Sequence, residues 1–308
     1  MTKDNKEKIV KFREDGLSLQ KIGKKFGVSK QRVWQILNYE KYRKQANAYR
    51  RTERFRQLRK NMVKNNKIIL GDCLEEMIDI KTGSIDMILC DLPYGTTACK
   101  WDTIIPFEPL WEQYKRVIKD NGAIILTASQ PFTSALVMSN VKMFKCEWIW
   151  NKEKGGSCFL AKYQPMKVHE NILVFGKGKI NYYPQMTKAE EKNKRNGGKL
   201  YPKRDTILGS IDLQWSKNHD ENVRFPKSFI NIKSSEKECN NALRVHPTQK
   251  PVALFEYLIK TYTNEGDLVL DNCAGSGTTG IACQNLNRNY ILIEKEKKYI
   301  NIIKERLK

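Results

Sequence analysis

Ile85-Asp86-Met87-Ile88-Leu89-Cys90 runs directly into Asp91-Leu92-Pro93-Tyr94-Gly95, and that junction decides the fold. An apolar run of about four to eight residues that stops at a carboxylate, a proline and an aromatic reads as a buried parallel strand. Such a strand delivers polar groups at its C-terminal end, where open α/β sheets bind ligands. The Asp91 carboxylate, the Leu92 carbonyl, kept out of a helix by Pro93, and the face of Tyr94 offer two hydrogen-bond acceptors and a stacking surface. They suit a flat ring carrying an exocyclic amino group. A strand followed by an ordinary turn would use the same residues, so the rest of the chain has to choose.

Around this junction the pattern alternates. Lys67-Ile68-Ile69-Leu70-Gly71-Asp72 is a short strand ending in a carboxylate, with a helix-like Leu74 to Ile78 behind it. Further strands are expected at Gly122 to Thr127, Cys146 to Trp150 and Asn171 to Phe175, with helices from Phe107 to Lys119 and from Phe132 to Asn140. Strands and helices in alternation build a parallel sheet covered on both faces, so the fold class is α/β. Asp72 either caps the helix that follows it or joins Asp91 at one edge of the sheet.

A second polar strand end lies near the C-terminus. Leu268-Val269-Leu270-Asp271 leads into Asn272-Cys273-Ala274-Gly275-Ser276-Gly277-Thr278-Thr279-Gly280. Closely spaced glycines let backbone approach a ligand, because no Cβ stands in the way. Gly275, Gly277 and Gly280 satisfy G-x-G-x-x-G, and Glu294 ends the next strand, Asn289 to Ile293, so a dinucleotide site has to be weighed. Asp271 would repel a pyrophosphate there. The chain after Glu294, read as a single strand, leaves no room for a complete nucleotide-binding unit. An acid at that place suits a cationic cofactor with a methionine-like amino group and a sulfonium, with Glu294 accepting from both ribose hydroxyls. No Gly-Lys-Ser/Thr follows, which excludes a P-loop.

The 308 residues allow one large α/β domain and a small extra module. No apolar stretch approaches the roughly 20 residues of a membrane span, and Met1-Thr2-Lys3-Asp4 lacks the apolar core of a signal peptide. A cytoplasmic protein is expected. Eight cysteines without a C-x-x-C pair read as reduced core residues, with no metal site and no disulfide. Residues 1–66 carry 20 Lys and Arg against 6 Asp and Glu, and residues 177–245 carry 15 against 8, so two segments hold nearly all of the +22 net charge. Segregated basic segments call for a polyanion, and nucleic acid is the obvious one.

The first basic segment reads as a helix from Lys6 to Glu14, a second capped by Ser18, a turn at Gly27-Val28 and a third capped by Ser29. Ile22 to Ile36 resembles the DNA-reading helix pair of bacterial sigma factors, which places Lys30, Gln31, Arg32 and Gln35 in the major groove. The plainer alternative is a small helical bundle for protein contact. Residues 1–40 form this module and 41–66 a basic helical linker. In residues 177–245 hydrophobic periodicity fades while Tyr182, Tyr183, Tyr201, Trp215 and Phe225 alternate with basic residues, a composition that favours contact with bases.

D-x-P-Y at a strand end, the long polar insertion, His246-Pro247-Thr248-Gln249-Lys250-Pro251 and then Asp271 to Thr279, in that order, resemble the β-group of S-adenosylmethionine-dependent DNA amino-methyltransferases, orphan and phage-borne enzymes included. The resemblance covers about residues 67–308. It implies a seven-stranded methyltransferase sheet, circularly permuted so that the catalytic strand precedes the cofactor strand, with the insertion as target-recognition region. It implies that Asp91 and the Leu92 carbonyl accept the two hydrogens of the target amino group behind Pro93, while Tyr94 stacks on a flipped base. Asp72 would hold the cofactor's adenine, Glu294 its ribose, and Asp271, Gly275, Gly277, Thr278, Gln249 and Lys250 its methionine end.

Two positions depart from the pattern. Leu92 replaces the usual first proline, and Cys273 stands where many relatives have Phe. The Asp that opens the motif points to adenine N6 in duplex DNA, with cytosine N4 as the alternative. A DNA-binding regulator with an inactive methyltransferase domain is the rival from another class. A homodimer and a cognate restriction endonuclease are compatible partners.

Overall fold

A computed structural model describes residues 3–28, 33, 66–97, 99, 102–156, 158–188, 205–206, 209–210, 223–234 and 249–308. The chain divides into two compact units, residues 1–64 and 65–308.

In the first unit, α1 (Lys3–Glu14) and α2 (Leu19–Phe26) are joined by a turn at Asp15-Gly16. The Ser18 hydroxyl accepts the Lys21 N–H at 3.3 Å and starts α2, and Gly27 ends it at φ 63°, a conformation glycine adopts without a Cβ penalty. Ile9, Ile22 and Val33 are fully buried together, with the Phe12 and Phe26 rings edge-on at 5.9 Å. Lys30, Gln31, Arg32, Gln35 and nearly all of the basic segment 41–66 lie outside the described residues.

The second unit opens with β1 (Lys67–Leu70), α3 (Cys73–Glu76), β2 (Ile85–Asp91), α4 (Phe107–Val117) and β3 (Ile118–Ala128). Next come α5 (Phe132–Ser139), β4 (Phe144–Gly156) and β5 (Lys167–Phe175). Four two-residue strands follow, β6 (Thr187–Lys188), β7 (Asp205–Thr206), β8 (Gly209–Ser210) and β9 (Val223–Arg224), then β10 (Phe229–Asn231). The chain finishes with α6 (Val252–Tyr262), β11 (Leu268–Asp271), α7 (Thr278–Asn285), β12 (Asn289–Glu294) and α8 (Lys297–Arg306).

The main sheet runs β1-β12-β11-β2-β3-β5-β4-β10, parallel except for β5. Seven of these strands make up the expected number, and an eighth, β10, comes from within the polar insertion and pairs with the edge of β4. Ile230 is its buried residue at 5% exposure, and the Trp150 indole donates to the Ile232 carbonyl at 2.8 Å. β5 runs antiparallel to both β3 and β4, and the residues described between β4 and β5 hold one 3-10 turn, Cys158–Leu160, and no α-helix to carry a parallel crossover. The chain after Glu294 is α8, not a further strand: Tyr299, Ile300 and Ile303 recur at helical spacing and bury one face.

Strand residues alternate between two cores. Ile88, Cys90, Ile124, Leu126, Leu173 and Phe175 face one side, with Leu110, Trp111 and Tyr114 of α4 and Phe132 and Leu136 of α5. Met87, Leu89, Ala123, Ile125, Ile172 and Val174 face the other, against α6, α7 and α8. Both faces are dry, which is why β2 and β3 read as continuous apolar runs. Of the cysteines, Cys73, Cys90 and Cys283 are core residues as expected, whereas Cys99, Cys146 and Cys158 are exposed. No cluster able to hold a metal, and no helix long and apolar enough to cross a membrane, occurs among the described residues.

Candidate active site

β1, β12, β11 and β2 lie side by side and parallel, and all four finish at the same edge with an acid. Asp72 follows β1, while Glu294, Asp271 and Asp91 are the last residues of the other three. A cleft of about 660 Å³ opens over this edge. Its lining unites Asp72, Leu92, Pro93, Gln249, Gly275, Thr278 and the three other acids with Tyr94 and Lys250. Only Gly277, of the residues expected at cofactor or target, is absent from the lining. It stands behind the loop at φ 80°, where an added Cβ would lie 3.0 Å from Ile303.

At the β11 end the acids organise backbone. The Asp271 Oδ1 accepts the Cys273 N–H at 3.1 Å and its Oδ2 accepts the Thr279 hydroxyl. Burial pushes its carboxyl up to about 7, against those hydrogen bonds. Glu294 takes the Gly275 N–H on Oε2 at 2.8 Å and the Glu296 N–H on Oε1 at 2.9 Å, and burial raises it too. Asp72 caps α3 by accepting the Leu74 N–H at 2.9 Å, so both readings of it hold: it caps, and it lines the cleft. The Ser276 hydroxyl donates to Gln249 Oε1 at 3.3 Å, and the Thr278 hydroxyl to the Lys250 carbonyl at 3.4 Å, which ties the Gln249-Lys250 segment to the glycine loop. Cys273 is half-buried in the lining beside Asn272, whose side chain accepts from the buried Tyr114 hydroxyl at 2.6 Å.

At the β2 end, Asp91 Oδ1 accepts from Tyr94 Oη at 2.7 Å and from the Thr127 hydroxyl. One face of the Tyr94 ring is stacked on Phe132, with centroids 5.2 Å apart at 28°. Lys250, which the resemblance assigns to the methionine end of a cofactor, lines the same cleft and also reaches the β2 end. Its ammonium sits 2.7 Å from Asp91 Oδ2 and 3.4 Å from Glu170 Oε2, and Lys152 reaches Glu170 Oε1 at 3.1 Å. Burial acts to lower the Lys250 pKa, but the two carboxylates outweigh it and hold it above its ordinary value. Burial acts to raise Glu170, and Lys250 and Lys152 together hold it below the usual range.

Thr127, Lys152, Asp102 and Glu170 are site residues that the sequence pattern does not single out, and the last two matter most. Asp102, 9% exposed, accepts the backbone N–H groups of Gly95, Thr96 and Thr97 at 2.9, 2.9 and 2.7 Å and so folds the loop behind Tyr94. Its burial, which would raise the carboxyl, is overcome by the Thr97, Gly95 and Thr96 hydrogen bonds, and its pKa is lowered. An acid seven residues beyond Gly95 was the available signal. Glu170 sits one residue before the strand expected at Asn171 and lies inside β5, which begins at Lys167; an acid abutting an apolar run was the available signal.

The sheet, with ligand-lining acids at the ends of adjacent parallel strands, defines a doubly wound α/β domain built to hold a ligand over its C-terminal edge. Residues 85–305 match the DNA methylase family of N6 and N4 enzymes, and the chain belongs to that family. It is 29% identical over 256 residues to the type II methyltransferase M.HpaI of Haemophilus parainfluenzae, covering 79% of this chain and 74% of that protein. Against the DNA adenine methyltransferase YhdJ of Escherichia coli K12 it is 30% identical over 259 residues, with 78% and 82% covered. The crystal structure of the M1.HpyAVI-SAM complex superposes with a TM-score of 0.50 at 25% identity, covering 78% of this chain and 99% of that one.

Proposed function

We propose that this DNA methylase uses S-adenosylmethionine to methylate the exocyclic N6 of an adenine drawn out of duplex DNA. The observation that carries the reading is the single cleft shared by Asp91-Leu92-Pro93-Tyr94 and the glycine loop. The donor set fits this cofactor: Asp271 beside Gly275 and Thr278 suits its cationic methionine end, Glu294 its ribose and Asp72 its adenine. When bound, it supplies a methyl group activated by a positive sulfur.

Asp91 then has the chemical task. The lone pair of an exocyclic amine is delocalised into its ring, and the Asp91 carboxylate and Leu92 carbonyl, by accepting both hydrogens, turn that lone pair out towards the methyl group. Tyr94, whose ring has Phe132 stacked on it and the Lys250 ammonium 5.7 Å from its centroid, offers an aromatic surface to the extruded base. Such a stack contributes about 1–3 kcal/mol against an extrusion cost of a few kcal/mol. Tyr94 remains a neutral donor because burial, then the Asp91 charge, raise its pKa.

In this reading Lys30, Gln31, Arg32 and Gln35 contact DNA, residues 177–245 read the target, and residues 41–66 lie along phosphates. A homodimer, a cognate restriction endonuclease and a place on DNA in the cytoplasm complete it. The test is incubation of the protein with unmethylated DNA and labelled S-adenosylmethionine, then nucleoside mass analysis, with Asp91→Ala in parallel. N6-methyladenine from the wild type only, with the variant slower by roughly a thousandfold or more, is expected. N4-methylcytosine would move the target, and no transfer despite intact cofactor binding would favour a regulator.

A further inference from the structure

Asp91, Lys250, Glu170 and Lys152 form a line of alternating charge in the cleft wall, with side-chain exposures of 21%, 8%, 15% and 17%. Each comes from a different element. Asp91 ends β2, Glu170 starts the apolar part of β5, and Lys250 precedes α6. Lys152 belongs to β4, where the pairing with β5 jumps from Asn151 opposite His169 to Gly156 opposite Lys167. Such a bulge re-aims side chains next to active sites. A lone Lys–Asp pair would suffice to neutralise Asp91. Glu170 needs another explanation, because its Oε2 is buried and makes no hydrogen bond among the described residues, although the Lys250 ammonium is only 3.4 Å away.

We propose that Glu170 is a positioning residue for methyl transfer: it holds Lys250 as counter-ion of Asp91, and it takes that lysine over when Asp91 receives a proton. The proposal rests on the adenine-methylating reading above. As the amine lone pair forms the new carbon–nitrogen bond, the sulfur–carbon bond breaks and its electron pair goes to sulfur, which becomes neutral. The nitrogen, now positive, sheds one proton to the Asp91 carboxylate. Asp91 is then neutral, and Lys250 keeps its charge inside a cleft of low dielectric, where an unpaired ammonium is costly. Glu170 Oε2 is already beside it, so a short swing of the ammonium restores a pair. Lys152 neutralises Glu170 before the transfer and keeps a hold on it afterwards. The site therefore carries a partner for Lys250 at both ends of the reaction, and the proton on Asp91 leaves to solvent with the product.

If Glu170 only tied β5 to its neighbours, its loss would lower stability and leave the chemistry of folded protein alone. Single-turnover transfer, together with cofactor and DNA affinities, separates the two roles in Glu170→Gln, Lys250→Met and the double variant, with wild type alongside. Glu170→Gln is expected to slow transfer roughly tenfold to a hundredfold, with both affinities within about threefold of wild type. Because Glu170 acts through Lys250, the double variant is expected to be no slower than Lys250→Met. The double variant also removes one charge of each sign, which keeps the wall neutral should a single replacement fail to fold. Glu170→Gln transferring at the wild-type rate, or losses that multiply in the double variant, would overturn the role. A wild type that transfers no methyl group would instead overturn the reaction itself.

Discussion

Asp271 is 3% exposed, with one carboxylate oxygen on the Cys273 N–H and the other on the Thr279 hydroxyl, and burial lifts its pKa to about 7. A raised carboxyl favours the folded state most while it carries its proton. Its contribution is complete below the unfolded value of about 4 and is lost as pH climbs through about 7. A cofactor with a cationic end prefers the ionised form, so binding below pH 7 must expel a proton. Calorimetry should find S-adenosylmethionine bound about tenfold more weakly at pH 6 than on the plateau above pH 7, a slope that Asp271→Asn should flatten. Asp102 makes a second case at this scale. Asp102→Ala leaves three loop N–H groups without their acceptor and should cost about 1–3 kcal/mol in chemical denaturation. The acids at strand ends were legible because an apolar run stops at each of them. Asp102 and Glu170 were not, since what they hold is set by a loop path and a sheet neighbour far away in sequence.

Among the elements, the glycine loop gives the sharpest expectation. Gly277 combines φ 80° with Ile303 of α8 standing 3.0 Å from where a Cβ would lie, so Gly277→Ala meets strain and contact at once. Thermal unfolding should show a loss of about 1–3 kcal/mol, and cofactor affinity should fall with it because Gly275 and Thr278 flank the distorted residue. The long strands and helices could be read because their apolar residues recur with periods of 2 or 3.6. β10 could not, since three residues carry no period and only one of them, Ile230, is buried. The antiparallel setting of β5 was equally hidden: β4 runs on through the polar Lys152, Glu153 and Lys154 to Gly156 and β5 begins already at Lys167, both well outside the apolar runs that mark these strands in the sequence.

For the whole molecule, the division at residues 64 and 65 sets the expectation for truncation. Residues 65–308 hold every lining residue of the cleft, so a protein without the first 64 residues should bind S-adenosylmethionine as the full chain does. It loses most of a segment with 20 basic residues against 6 acidic ones. Its DNA affinity should therefore depend less steeply on salt, by about 0.9 in log–log slope for each phosphate contact removed. An unchanged slope in a filter-binding titration would show that the basic segment takes no part. The charge imbalance was visible in composition. The path of the insertion was not, and it has a consequence of its own. The chain leaves the sheet after β5, is fastened as it leaves by the Asn181 and Tyr183 N–H groups on the Asn121 and Thr261 carbonyls, and is fastened again where β10 joins β4. On the proposed reading of residues 177–245 as the part that reads the target, what lies between those two moorings is a cassette, whose exchange would change the word such an enzyme reads without rebuilding the hand that writes.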